Sequence, residues 1–397
     1  MPQPSASSPP ALSTTLLDAV WRLPLGSFAV VMATGIVSVG LDTVAAQVPG
    51  AGAASAVLAW IAALSYVVLV VLTAARILRR PRDVAADLRT PARAFGAFTF
   101  VAGTGVLGAR LSTVPGWGAV AAVLLGITAV AWLVLGYLIP ASALRARSDD
   151  AAAARGADGA EAQADDAVTS DAAPRSGTSA MSLTAADGTW FLWVVATQSV
   201  AVLASGLVAG ASGAAGALTW LALICWCVGT CLYGVVGLIV VLRLFLAPVR
   251  PQDVAAPYWV AMGATAITVL AGAHLLHLDT LPTTARPLVA GLALLFWAFG
   301  TWLIPPLLVV GWWRHGRHHV PLRYELGLFS IVFPLGMYAV ASQALGTAEH
   351  LGVIAGIGHG ELWVAVAAWV IVFAWMLVAG LRGLRSPRGH DRPAAAA

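Results

Sequence analysis

The chain has 397 residues, of which 59% are hydrophobic and only 10% charged, and its mean hydropathy is +0.85. A typical soluble domain carries about a quarter charged residues, so a string of soluble domains is excluded: these charges are too few to cover their surfaces. All 22 basic residues are arginine and the pI is near 9.3. They sit between apolar segments and form no stripe with interleaved aromatics, which marks them as topology signals and argues against a nucleic-acid partner.

The opening stretch, Met1 to Ala19, is rich in Pro and Ser and has no basic region ahead of an apolar core. It reads as a disordered cytoplasmic tail over residues 1–20, with no cleavable signal peptide. Apolar spans then follow at about Leu25 to Leu41, Ser55 to Leu78, Phe95 to Leu111, Trp117 to Leu144, Thr189 to Val208, Ala217 to Leu246, Tyr258 to Leu276, Pro287 to Trp313, Leu326 to Leu345 and Ile357 to Leu381. Each is long enough to cross a hydrocarbon layer about 30 Å thick. In lipid only helices or closed barrels satisfy every backbone polar group, so such runs predict ten membrane helices over residues 21–384. A second tail is expected at 385–397.

Arginine placement fixes an orientation. Arg110 and Arg286 fall on one side of the predicted membrane and the other 20 arginines on the opposite side, alternating with every span. By the positive-inside rule both termini are expected in the cytoplasm and the protein in the cell (plasma) membrane. Residues 146–187, rich in Ala, Asp, Gly and Ser with no apolar period, read as a disordered acidic cytoplasmic loop between the fourth and fifth spans.

Helix-weakening residues recur near the middle of odd-numbered spans: Gly35, Gly103 and Gly105, Gly263, and Pro334 with Gly336. They are read as hinges, because interrupted helices border water-filled cavities. Neutral polar residues cluster in the same spans. Thr34, Ser38, Thr104, Gln198 and Gln343 are the candidates for a neutral pore lining, in which hydroxyls and amides replace part of an anion's hydration shell. Thr197, Ser199, Thr265, Thr268 and Ser342 belong to the same set. The alternative for each hydroxyl is a bond to a carbonyl one turn back.

The sequence contains no HExxH, GxSxG or Walker-type loop, and no carboxylate pair within the spans, so no catalytic residue, cofactor or metal site is assigned and no enzyme activity is expected. Glu325 and Asp187 fall at cytoplasmic span ends, where a solvated position suffices. Cys225, Cys227 and Cys231 share the sixth span without a His or carboxylate to complete a metal set, and are read as packed small hydrophobes. At the outer side Arg110, His274, His277 and Arg286 are candidates for a mouth of positive potential that concentrates anions. His350 and His359 fall on that side too, whereas His315, His318 and His319 share an inner loop with Arg314 and Arg317.

Four segments carry a resemblance: GSFAVVMATGIVS (Gly26 to Ser38), FTFVAGTGVLGARL (Phe98 to Leu111), WFLWVVATQSVAV (Trp190 to Val202) and FSIVFPLGMYA (Phe329 to Ala339). Together with ten spans they resemble the tellurite-resistance/dicarboxylate transporter family, which includes plant slow-type anion channels, bacterial tellurite-resistance proteins and yeast malate and sulfite transporters. The resemblance implies an all-α membrane fold: five hairpins in a quasi-five-fold arrangement around a pore, odd helices inside, even helices outside, and a homotrimer with one pore per subunit. It also implies that Phe333 of the ninth span occludes that pore. The leading expectation is channel-like passage of small inorganic or organic anions across a lipid bilayer. The alternative is a proton-coupled carrier of C4-dicarboxylates such as malate, or an exporter of sulfite- or tellurite-type oxyanions.

Overall fold

The computed structural model describes residues 23–165, 186–211 and 213–385. Ten helices there are long and apolar enough to cross a membrane: α1 (Leu25–Thr43), α2 (Ala51–Arg79), α3 (Arg93–Ser112), α4 (spanning at Gly118–Ser142), α5 (Gly188–Gly210), α6 (Ala215–Leu246), α7 (Ala256–Leu276), α8 (Arg286–Arg317), α9 (Leu326–Ala348) and α10 (Gly352–Arg382). They match the ten spans read from the sequence, because length of apolar run is a local property. Both expected tails lie largely outside the described residues. The fourth helix differs from expectation. It continues without a break to Asp165, so helical backbone occupies 146–165, where an irregular loop was expected. An alanine-rich run has high intrinsic helix propensity and extends a helix already nucleated in the span. Residues 166–185, the rest of that loop, lie outside the described residues.

The odd helices pack side by side in a closed ring, α1 to α3 to α5 to α7 to α9 and back to α1. Each even helix packs on its own odd partner and also touches the odd helix of the next hairpin, so five hairpins repeat around one axis. The ring is the core. Phe28, Phe98, Met32, Met262, Phe329 and Phe333 are all buried within it. Large side chains on the even helices, such as Trp60, Leu64, Val123, Leu238, Trp302 and Ile371, face outward, as a lipid solvent requires.

A polar contact recurs at every junction between hairpins. Trp369 Nε1 of α10 donates to Thr34 Oγ1 of α1 at 2.9 Å. Thr104 Oγ1 of α3 meets the Tyr66 hydroxyl of α2 at 3.1 Å. Trp132 Nε1 of α4 donates to Thr197 Oγ1 of α5 at 2.8 Å, Trp226 Nε1 of α6 to the Thr268 carbonyl of α7 at 2.9 Å, and Trp297 Nε1 of α8 to Ser342 Oγ of α9 at 2.9 Å. Buried indole N–H groups need a partner, and here each partner sits on the next hairpin's inner helix.

Glycines set the spacing of the ring. A Cβ on Gly35 of α1 would lie 2.8 Å from Val106 of α3, and one on Gly105 of α3 would lie 2.7 Å from Ser199 Cβ of α5. A Cβ on Gly336 of α9 would lie 2.9 Å from Ile36 of α1, and one on Gly263 of α7 would lie 2.9 Å from Pro334. Gly103 abuts the Phe28 carbonyl and Val31. The backbone runs as unbroken helix through all of these positions and through Pro334. Interrupted helices are therefore not what the hinge candidates produce. They permit close approach, the role of small residues at membrane helix interfaces.

Candidate functional site: two cavities on one axis

All odd helices begin at the arginine-rich face and end at the arginine-poor one. At the arginine-poor face they surround a cavity of about 600 Å³. Each contributes one stripe at helical spacing: Ile36, Val39 and Thr43 from α1; Val106, Ala109 and Thr113 from α3; Ser199, Val202 and Gly206 from α5; Ile267, Leu270, His274 and His277 from α7; Met337, Val340 and Ala344 from α9. The stripes of α1, α3 and α7 are apolar at depth and polar at the rim, α5 places Ser199 at depth, and the α9 stripe is apolar throughout.

The five N-terminal ends meet at a second cavity of about 820 Å³. Its wall includes Ala29 of α1, Gly96 and Thr99 of α3, Thr189 and Leu192 of α5, Pro257 of α7 and Ser330 of α9. A short surface helix, Pro81–Arg89, adds Asp83 and Asp87. Asp87 accepts from Arg76 at 2.6 Å and from Arg93 at 3.0 Å, and Arg76 also donates to the Leu23 carbonyl at 2.7 Å.

Between the two cavities the odd helices carry buried residues that line neither: Met32 and Ala33, Ala102 and Gly103, Val195 and Ala196, Gly263 and Ala264, and Phe333 and Pro334. Phe333 is 1% exposed and supplies the only aromatic ring among these ten residues. It lies on the face of α9 between Ser330, which lines one cavity, and Met337, which lines the other. Its Cε1 is 3.4 Å from where a Cβ of Gly263 would sit, so the ring reaches across to α7. Pro334 lacks the N–H that would bond the carbonyl of Ser330, which frees that oxygen beside the cavity at the helix N-termini.

The residues singled out in the sequence divide. Of the five pore-lining candidates, Gln343 lies on the wall of the 600 Å³ cavity; it accepts from Thr43 Oγ1 at 2.7 Å and donates to the Gly358 carbonyl at 3.2 Å. Thr34, Ser38, Thr104 and Gln198 line neither axial cavity. Thr34 and Thr104 make the inter-hairpin contacts described above. Gln198 donates to the Trp226 carbonyl at 3.2 Å and fills the space left by Gly229. Ser38 donates to the Ser55 carbonyl at 2.7 Å. A polar atom in an apolar bundle is held by whichever seam offers a partner; the axis here is lined mainly by small and aliphatic side chains.

Of the mouth candidates, Arg110, His274 and His277 line the cavity. Arg110 is buried and fully engaged: Nε donates to Ser38 Oγ at 3.1 Å, Nη1 to Thr113 Oγ1 at 2.8 Å, and Nη2 to Asp42 Oδ1 at 3.0 Å and Ser55 Oγ at 3.1 Å. His274 is half-buried on the wall and His277 exposed at the rim. Arg286 is elsewhere. Its guanidinium donates to the Leu276 and Leu278 carbonyls at 2.7 and 2.6 Å, which caps the end of α7.

Sequence reasoning also missed residues. Asp42, one residue past the first expected span, pairs with Arg110. Glu361 is a half-buried acid inside α10, two residues beyond His359 of the cavity wall. The spacing of both relative to their spans was visible in the sequence. Cys225 is buried as expected for a packed residue, but Cys227 and Cys231 are exposed on the outer surface of α6, so the packing reading holds for one of three. Asp187 is an N-cap, accepting the Thr189 amide at 2.9 Å.

The chain is similar to known proteins. Two "uncharacterized membrane proteins" of Mycobacterium tuberculosis, from strains CDC 1551 / Oshkosh and ATCC 25618 / H37Rv, are each 56% identical to it over 138 residues, which is 34% of this chain and 70% of theirs. A family model described as "Voltage-dependent anion channel" matches residues 22–377, from the start of the first hairpin almost to the end of the tenth helix. With its ring of five buried helices and ten spans, the chain belongs to the voltage-dependent anion channel family.

Proposed function

We propose that small anions pass along the axis of the odd-helix ring, from one cavity to the other, and that Phe333 is the gate between them. The observation that carries this reading is the register: four of the five ring helices, α1, α3, α5 and α9, line the two cavities with residues seven apart and so with the same face, and Phe333 is the largest side chain where those faces continue. An aromatic ring in a narrow apolar passage both fills and dewets it. Anions are favoured at the arginine-rich end because five helix N-termini converge there, each with a partial positive charge. The carboxylates that line the two cavities are each paired with arginine, Asp42 with Arg110, Asp83 with Arg80 and Asp87 with Arg76 and Arg93, so they add little net negative charge.

On this reading the arginine-rich face is cytoplasmic, the membrane is the plasma membrane, and each subunit of a homotrimer has its own path, with no enzymatic step. A second reading, a proton-coupled carrier of C4-dicarboxylates or oxyanions, is favoured by one observation. Three titratable side chains, His274, His277 and His359, line the cavity at the arginine-poor end.

Purified protein in liposomes, assayed for chloride, nitrate, malate and sulfite flux with and without a pH gradient, separates the two. Flux that ignores the gradient and rises several-fold in Phe333→Ala is expected for the gated path. Unchanged flux in a folded Phe333→Ala variant removes the gate, and strict dependence on the gradient favours the carrier.

A further inference from the structure

Six arginines are held by acids or carbonyls of the protein's own fold. Arg76, Arg80, Arg93, Arg110 and Arg243 each face an aspartate, and Arg286 is held by two carbonyls. The last turn of α8 and the linker to α9 form a separate basic cluster. It gathers Arg314, His315, Arg317, His318, His319 and Arg323 within a few residues, and among the described residues none of its three arginines is in an ion pair.

The backbone of this linker is unusual and fixed. α8 ends in a π-turn, Trp313–Arg317, a form that appears as single turns, frequently at functional sites. His319 holds a left-handed φ of 51°, uncommon for a residue other than glycine. Arg314 Nη1 donates to the Val254 carbonyl at 2.8 Å, which ties the turn to the segment before α7, and His315 Nδ1 donates to the Val320 carbonyl at 2.8 Å. The buried Nε of Arg314 has no partner.

Beside the turn is a cavity of about 330 Å³. Arg314, His315 and Arg323 line it, with Glu325 the only acid on its wall. Leu308, Trp312 and Leu322 line it too, and these three are 57–67% exposed. The cavity wall thus combines cationic groups with exposed apolar side chains.

We propose that this cavity binds the phosphate head of an anionic phospholipid, with an acyl chain lying along Leu308 and Trp312 of α8. The Arg323 guanidinium, which makes no hydrogen bond among the described residues, and the unpaired Nε of Arg314 match a phosphodiester in charge and donor geometry. Basic pockets at the ends of membrane helices take such headgroups, and tryptophan favours the headgroup level. The exposed apolar wall selects a lipid over free phosphate, since only a lipid covers it. Leu328 and Ile331 of α9 complete the cavity, so an occupied site braces the foot of the helix that carries Phe333.

The test uses the purified full-length chain in detergent, with native mass spectrometry and thermal unfolding as readouts. Phosphatidylglycerol, phosphatidylcholine and inorganic phosphate are added separately to wild type and to an R314Q/R323Q variant. Phosphatidylglycerol is expected to remain as adducts on wild type and to raise its Tm, and to bind the double variant about thirtyfold more weakly, each arginine contributing about 1 kcal/mol. Phosphatidylcholine and inorganic phosphate are expected to do neither. Equal phosphatidylglycerol retention by both proteins overturns the proposal, as does equal protection by inorganic phosphate. If the double variant does not fold, R323Q alone carries the test, because the Arg323 guanidinium makes no hydrogen bond among the described residues.

Discussion

In α3, 83% of the apolar stretch is buried inside the molecule, whereas in α2, the preceding helix, the share is 11%. Both helices cross the membrane, yet their sequences answer different demands. α2 presents Trp60, Leu64, Val67, Val68 and Val71 outward, where lipid accepts any large apolar group. α3 is built from Ala102, Gly103, Thr104, Gly105 and Gly108, because it touches helices on every side and its backbone must approach theirs. Bulk is thus tolerated in the even helices and costly in the odd ones, and polar atoms are allowed in the odd helices only where a neighbour completes them.

The largest expected break in that contrast is Gly105→Leu. Its Cβ alone would meet Ser199 Cβ at 2.7 Å and the Ser199 carbonyl oxygen at 3.2 Å, and backbone cannot move aside as a flexible side-chain tip can. We expect a loss of about 3 kcal/mol or more, read as failure to purify a monodisperse protein or as a large fall in Tm. A normal Tm would show that the α3–α5 seam is looser than its geometry. Of intermediate size is Trp369→Phe, which removes the indole donor to Thr34 and keeps most of the packing. About 0.6 kcal/mol is expected, the average for a membrane helix hydrogen bond, and a double-mutant cycle with Thr34→Val isolates it. A coupling near zero would reduce the recurring aromatic contact to packing. The smallest effect is expected from Val67→Ala on the outer face of α2, within about 0.5 kcal/mol by thermal unfolding; a loss as large as that of Gly105→Leu would mean that this face is covered by something other than lipid.

The fold was legible in the sequence because an apolar run of about 20 residues and the sidedness of arginine are both local signals. The path was less so. Odd helices are apolar nearly all round, so no polar face marks the axis, and the eye goes to hydroxyls and amides. Thr34, Thr104 and Gln198 are in fact turned to neighbouring helices, while the axis is faced by Ile36, Val106, Ile267 and Met337. Their partners left a trace, since Trp132, Trp226, Trp297 and Trp369 recur on alternate helices, but linking a tryptophan to the following hairpin needs the ring itself. Gln343 and Phe333 were readable as individuals, the latter through the resemblance of its segment. The apolar and cationic pairing at the α8–α9 linker was invisible in advance, since it depends on a π-turn that brings Trp312 and Arg323 to one cavity.

The contact between Trp369 and Thr34 joins residues 335 positions apart, and α9 against α1 is the seam that closes the ring. A ribosome making this chain delivers α1 first and α9 and α10 last. Until α9 is made the ring cannot close, because α9 supplies the flank that both α1 and α7 pack against. The passage comes into existence only with the final hairpin, so a chain cut short of α9 is a membrane protein without an inside.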